Sequence, residues 1–158
     1  MANAKPYVAV ACVCEKVLIE PDNVASLIRI VDTFHLQIPE GFSAEPGRPT
    51  AVFLTAFISI KAGEATGQHE ISVVLRPPNG KKSDPNRFPV VLIKPEDGAN
   101  VKLDFILAGK DGAPPDLGLY WFDVLWGEEL LTSIPFKLMR AAPTAAAAVP
   151  NVPSTRTP

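Results

Sequence analysis

The sequence predicts an all-β protein, a two-sheet antiparallel β-sandwich of about eight strands. Three observations predict it. Apolar residues recur with a period of two along short runs. Clusters of Gly, Pro, Asn and Asp separate those runs at roughly 8–12-residue spacing, the punctuation of a sandwich or barrel. Seventeen prolines leave no long stretch with helical periodicity.

The eight expected runs are Tyr7–Ile19, Val24–Phe34, Thr50–Lys61, His69–Arg76, Phe88–Lys94, Asn100–Leu107, Leu119–Trp126 and Leu130–Arg140. Alternation assigns their faces. Val52, Leu54, Ala56, Ile58 and Ile60 share one side of the third run and are expected in the core. The same parity turns Ile71, Val73 and Leu75 inward, then Val101, Leu103, Phe105 and Leu107, then Tyr120, Phe122, Val124 and Trp126. The first run is apolar on both faces, so both of its sides should be covered. In the last two runs the apolar pattern favours a three-residue connection, Gly127-Glu128-Glu129. This sets Trp126 against Leu130 and Phe122 against Ile134.

Residues 1–6 are expected as a flexible N-terminus, 7–140 as the sandwich domain and 141–158 as a disordered Ala/Pro-rich tail. The tail has too little apolar bulk to offset its ordering entropy. A chain of 158 residues is long enough for one core to bury roughly 70% of its unfolded surface. The apolar run after Lys5 ends at Glu15-Lys16 and continues a strand pattern, so it reads as a strand rather than a secretory signal. No run has the ~18 apolar residues of a membrane span.

Fifteen basic and seventeen acidic side chains give a net charge of −2, and the longest basic run is Lys81-Lys82. That balance lacks the clustered cations of a nucleic-acid surface. Cys12 and Cys14 lie on one face of a strand, about 6.5 Å apart with parallel Cβ vectors, unsuited to a disulfide. They are expected as free thiols buried in the core of a protein from a reducing, cytoplasmic compartment.

Two stretches resemble known families. Asp116-Leu-Gly-Leu-Tyr120-Trp-Phe122 resembles the Asp-x-Gly-x-Tyr signature at the tyrosine corner of immunoglobulin-like sandwiches. The resemblance implies an immunoglobulin-like topology in which the Tyr120 hydroxyl bonds upstream backbone. Phe122 stands where antibody domains carry a cysteine, and neither their disulfide pair nor their buried strand tryptophan is present. Ala11-Cys12-Val-Cys14-Glu-Lys-Val17 and Ser26-Leu-Ile28-Arg-Ile30-Val-Asp32 resemble an uncharacterised bacterial family of small β-sandwich domains, as do the Arg76-Pro-Pro-Asn-Gly80 turn and the Gly-Leu-Tyr120 strand. That resemblance implies a bacterial or phage-derived sandwich and transfers no catalytic residue.

The residues themselves show no catalytic constellation. His35 lies near Asp32, but residues three apart along a strand point to opposite faces. His69 shares parity with Ile71 and is expected at the rim of the core, bonded to backbone. The carboxylates Asp22, Asp84, Asp97, Asp111 and Asp116 occupy turns and lack calcium-loop spacing, so no metal is expected. The glycines form no phosphate-cradling motif, so no cofactor is expected either.

These readings leave a non-catalytic protein-interaction or structural module first. A carbohydrate- or small-ligand-binding module, stacking a sugar on outward Trp121, is the alternative. The candidate interaction face carries Trp121 opposite Pro135, Leu125 opposite Leu131, and Val74 on a neighbouring strand. Its expected partner is another protein, most simply a second copy. The competing reading is that the 39–49 loop or the first strand folds over this face. Pro135 marks its strand as an edge, since proline donates no ladder bond.

Overall fold

The computed structural model describes residues 5–22, 24–38 and 50–142. Nine strands follow one another: β1 (Tyr7–Ile19), β2 (Ala25–Ile30), β3 (Thr33–Leu36), β4 (Ala51–Lys61), β5 (Gly67–Arg76), β6 (Asn86–Leu92), β7 (Gly98–Ala108), β8 (Gly118–Trp126) and β9 (Glu129–Arg140). A single 3₁₀ turn, Lys110–Gly112, interrupts them among the described residues. One sheet has the order β2-β1-β4-β7, the other β3-β9-β8-β5-β6. The protein is all-β and sandwich-like. Of the tail expected at 141–158, residues 143–158 lie outside the described residues, as do Met1–Ala4, Asn23 and residues 39–49.

The second expected run is two strands, not one. Its first half, β2, pairs with β1 in the four-stranded sheet, with Ile28 opposite Lys16. After Val31 and Asp32 the chain crosses, and β3 pairs parallel with β9, Phe34 beside Leu138. Among the described residues the count is therefore nine, and one pairing is parallel in an otherwise antiparallel set. The crossing is anchored at both ends. Val31 donates its amide to the Val13 carbonyl at 2.8 Å, and Lys137 donates to the Asp32 carbonyl at 2.8 Å. Arg29 beside the crossing sits at φ 49, a left-handed conformation costly for a residue with a Cβ.

The core lies between the sheets. Leu54, Ile58 and Ile60 of β4 meet Ile71 and Val73 of β5, with Phe122 of β8 and Phe136 of β9. Phe105 reaches across, its ring 4.6 Å from that of Phe122. The alternation read from the sequence assigns these inward residues correctly, because a strand in a two-layer packing exposes one parity to the core.

The thiols depart from expectation. Val13, not its neighbours, faces the inter-sheet core. Cys12 pairs opposite Phe57 and Cys14 opposite Thr55, which puts both on the outer side of the four-stranded sheet. Cys14 is buried there in a second small cluster with Val17 and Phe57, against which Cys12, Ala25 and Leu27 pack; Cys12 itself is only half-buried. The expected cover on both faces of β1 is therefore partial: Val13, Cys14 and Val17 are buried, but Val10, Leu18 and Ile19 stay 44%, 38% and 54% exposed. What outer cover there is comes from Phe57 of β4 and from Ala25 and Leu27 of β2.

Candidate functional site

The outward face of the five-stranded sheet holds the residues singled out in the sequence. On β8 the outward parity is Leu119, Trp121, Asp123 and Leu125. Register places Trp121 beside Pro135 on β9 and Arg76 on β5, and Asp123 beside Ser133 and Val74. Trp121, Leu125, Pro135 and Val74 thus share one face.

Leu131 does not join them. The hairpin register shifts between Val124 and Leu125, so Leu125 pairs with Leu130 and Trp126 with Glu129. The loop is Gly127-Glu128, with Gly127 at φ 59, in place of the expected three-residue connection. A two-residue loop with left-handed Gly matches strand twist, and a bulge absorbs the extra residue. Leu131 is that residue. It turns in against the core, and Leu130 is left 56% exposed in its place.

At the centre of the face lies a polar network. Arg76 grips Asp123 bidentately, Nε to Oδ2 at 2.6 Å and Nη2 to Oδ1 at 2.9 Å. The Ser133 hydroxyl donates to the same Oδ1 at 2.6 Å. The Arg76 guanidinium lies 5.6 Å from the centre of the Trp121 ring, within cation–π range. Burial pushes the Asp123 carboxyl up, but hydrogen bonds from Arg76 and Ser133 outweigh it and hold the carboxyl below its ordinary range. The carboxylate is therefore a fixed anion that orients Arg76, and Arg76 in turn covers part of Trp121. Alternation alone could not reveal this network, because it requires β5 to lie beside β8.

Pro135 is not on an edge strand throughout, since β9 sits between β8 and β3. β3, however, pairs only with Lys137–Arg140. Pro135 falls in the part of β9 that β3 does not reach, so its missing N–H leaves no ladder gap on that side.

Tyr120 points inward below this face, and its hydroxyl donates to the Asp116 carbonyl, four residues upstream, at 2.6 Å. Burial, with the nearby Asp116 carboxylate, pushes its phenol up to about 12. Asn79 Nδ2 also donates to the Asp116 side chain at 3.0 Å, tying the Pro77–Gly80 turn to the same corner.

The histidines are apart. His69 Nε2 lies 2.9 Å from the Thr66 carbonyl, and its ring stacks 4.5 Å from Trp126. His35 lies within β3 rather than in a loop. With Asp32, Glu15 and Arg29 it lines a cleft of about 400 Å³ at the crossing, where Arg29 pairs with Glu15 at 2.8 Å. Among the described residues no group of three or more His, Cys, Asp or Glu side chains is disposed to hold a metal ion. Among them, too, no helix is long and apolar enough to cross a membrane.

No protein-family model matches the chain, and no curated protein does. Solved structures resemble it in fold. A β-glucosidase from Erythrobacter marinus superposes with a TM-score of 0.50 at 14% identity, over 85% of this chain and 15% of that one. An alkylpurine DNA glycosylase from Pseudomonas fluorescens, bound to DNA containing an abasic site analogue, gives 0.49 at 14% identity, over 89% of this chain and 32% of that one. β-Glucosidase 3B from Thermotoga neapolitana, in complex with glucose, gives 0.42 at 19% identity, over 56% of this chain and 14% of that one. This chain thus spans a minor part of each enzyme, and at such identity the first likeness concerns the fold alone.

Proposed function

We propose that the chain is a non-catalytic interaction module of the bacterial or phage cytoplasm, an immunoglobulin-like sandwich that docks another protein on the outward face of its five-stranded sheet. One observation carries this reading. Trp121 and Arg76 are stacked, and Arg76 is held rigid by Asp123 and Ser133. Tryptophan and arginine dominate interface hot spots, and side chains already ordered lose less entropy on binding. Val74, Leu125 and Pro135 surround the pair with apolar contact surface.

Sugar stacking on Trp121 is the less favoured use, since Arg76 already occupies part of the ring's surroundings. The hydrogen bond from Tyr120 to the backbone before its strand supports the immunoglobulin-like reading. The parallel β3–β9 pairing departs from its all-antiparallel form.

Trp121→Glu tests the function. The expected result is a folded protein, unchanged in circular dichroism, that loses the partner captured by the wild type. A folded variant with unchanged sedimentation and unchanged capture overturns the reading. Unfolding would mark Trp121 as a covered core residue instead, and the milder Leu125→Ser then decides by the same capture measurement.

A further inference from the structure

We propose that the ribbon formed by the outer halves of β1 and β2 in one copy docks on the Trp121 face of another, joining copies head to tail. The proposal rests on the reading of that face as a docking surface and names its occupant.

Past Cys14, β1 pairs with β2 and no longer with β4. The chain there forms a two-stranded ribbon at the sheet margin, an arrangement of little stability by itself. It also carries a concentration of exposed apolar side chains: Leu18, Ile19, Val24, Ile28 and Ile30 each leave between 38% and 66% of their surface in water. Scattered single exposures need no explanation, but five in one hairpin do. As the outermost strand of its sheet among the described residues, β2 also presents a backbone edge there.

Charge selects the occupant. The ribbon's tip is acidic, with Glu20 and Asp22 exposed. The Asp22 carboxylate accepts from the Val24 amide at 3.2 Å, and Glu20 accepts from the Ser26 hydroxyl at 2.9 Å. Farther back Arg29 is paired with Glu15, and Lys16 lies at the ribbon's base.

The Trp121 face is the complement. Its arginines are paired internally, Arg76 with Asp123 and Arg87 with Glu70. That leaves Lys137, beside Leu119 on the same face, and the exposed Lys82, whose neighbour Ser83 donates its amide to the Leu75 carbonyl at 2.8 Å next to Arg76. An apolar, acidic ribbon and an apolar, lysine-bearing face are the two halves of one interface.

The ribbon cannot reach its own chain's face. It belongs to the four-stranded sheet, and the Trp121 face is the far side of the other sheet. The contact is therefore between copies and heterologous, which propagates into a ring or an open chain.

Sedimentation velocity on the full chain tests this with two half-blocked variants in exposed positions. Glu20→Lys/Asp22→Lys blocks the ribbon, and Lys82→Glu/Lys137→Glu blocks the face. The wild type should associate with rising concentration, and salt should weaken the association. Each variant alone should lose about tenfold or more in self-association. Mixed together they should regain association, because one supplies an intact face and the other an intact ribbon, and the two reversed halves are again opposite in sign.

A wild type that stays monomeric at every concentration overturns the proposal. So do half-blocked variants that each associate like the wild type, or a mixture that forms no pair. These failures remove the ribbon as occupant and leave the docking face itself to the Trp121→Glu capture experiment.

Discussion

The two outward sheet faces treat the same problem differently. Each carries aromatic and aliphatic residues at the parity turned away from the core. On the four-stranded sheet, Ala25 and Leu27 of the neighbouring strand β2 pack against the buried cluster of Cys14, Val17 and Phe57. On the five-stranded sheet no further strand layer lies over Trp121 among the described residues. Arg76, Asp123 and Ser133 are bonded across it instead. The first face is closed by apolar burial only around Cys14, Val17 and Phe57, since Phe53 and Ile106 on the same side are 68% and 61% exposed. The other is half-exposed among the described residues and is ordered by charge-assisted hydrogen bonds, which a partner can meet without first paying to arrange them.

The largest effect should come from the closed face. Phe57→Ala is expected to cost about 3 kcal/mol in chemical denaturation, the loss typical of truncating a buried aromatic ring. A loss below about 1 kcal/mol would show that the outer cluster adds little and would erase the contrast between the faces.

The open face comes next. Asp123→Ala should cost about 2 kcal/mol, because Arg76 and Ser133 both lose their acceptor. The pH dependence has a definite sign. The Asp123 carboxyl titrates below its unfolded value, so its contribution is present above the ordinary carboxylate range and is lost as pH falls through the folded titration. Stability measured against pH should therefore decline less steeply at acid pH in Asp123→Ala than in the wild type. Equal slopes would mean the network is not formed in solution.

Tyr120, in the layer beneath the open face, is a smaller lever. Tyr120→Phe is expected to cost about 1 kcal/mol, since only the bond to the Asp116 carbonyl goes. Its phenol is neutral in the fold up to about 12, against an ordinary 10.0. Stability should fall as pH rises from the lower value towards the upper, and ultraviolet difference spectra of the phenolate report it. A Tyr120→Phe variant as stable as the wild type removes the corner bond as a stabilising feature.

The smallest effect is kinetic. Burial raises both thiols above their ordinary range, and the half-buried Cys12 should react with a thiol reagent faster than the fully buried Cys14. Equal native rates would mean that β2 opens as a unit and the closed face is not closed.

The outcome for the candidate face shows how far local pattern reaches. Trp121, Leu125, Pro135 and Val74 were legible as outward because strand parity is a property of the chain itself. Leu131 was misassigned because a bulge changes parity without a mark in composition. Arg76 and Asp123 lie 47 residues apart, and nothing near either announces the other. Phe57, on the outward side of β4, was missed as a burial site because its cover is supplied by another strand.

The sequence by itself determined what is local: the all-β class, most strand limits, the inward residues of β4, β5, β7 and β8, and the turns between them. Alternation and turn chemistry act over a few residues, so they can be read in order along the chain. The tertiary structure alone decided where the second run breaks, which side of β1 receives the cysteines, and which outward face stays open. Those depend on pairing partners far away in sequence. Parity says which way a side chain points, and only the assembled sheets say what it meets there.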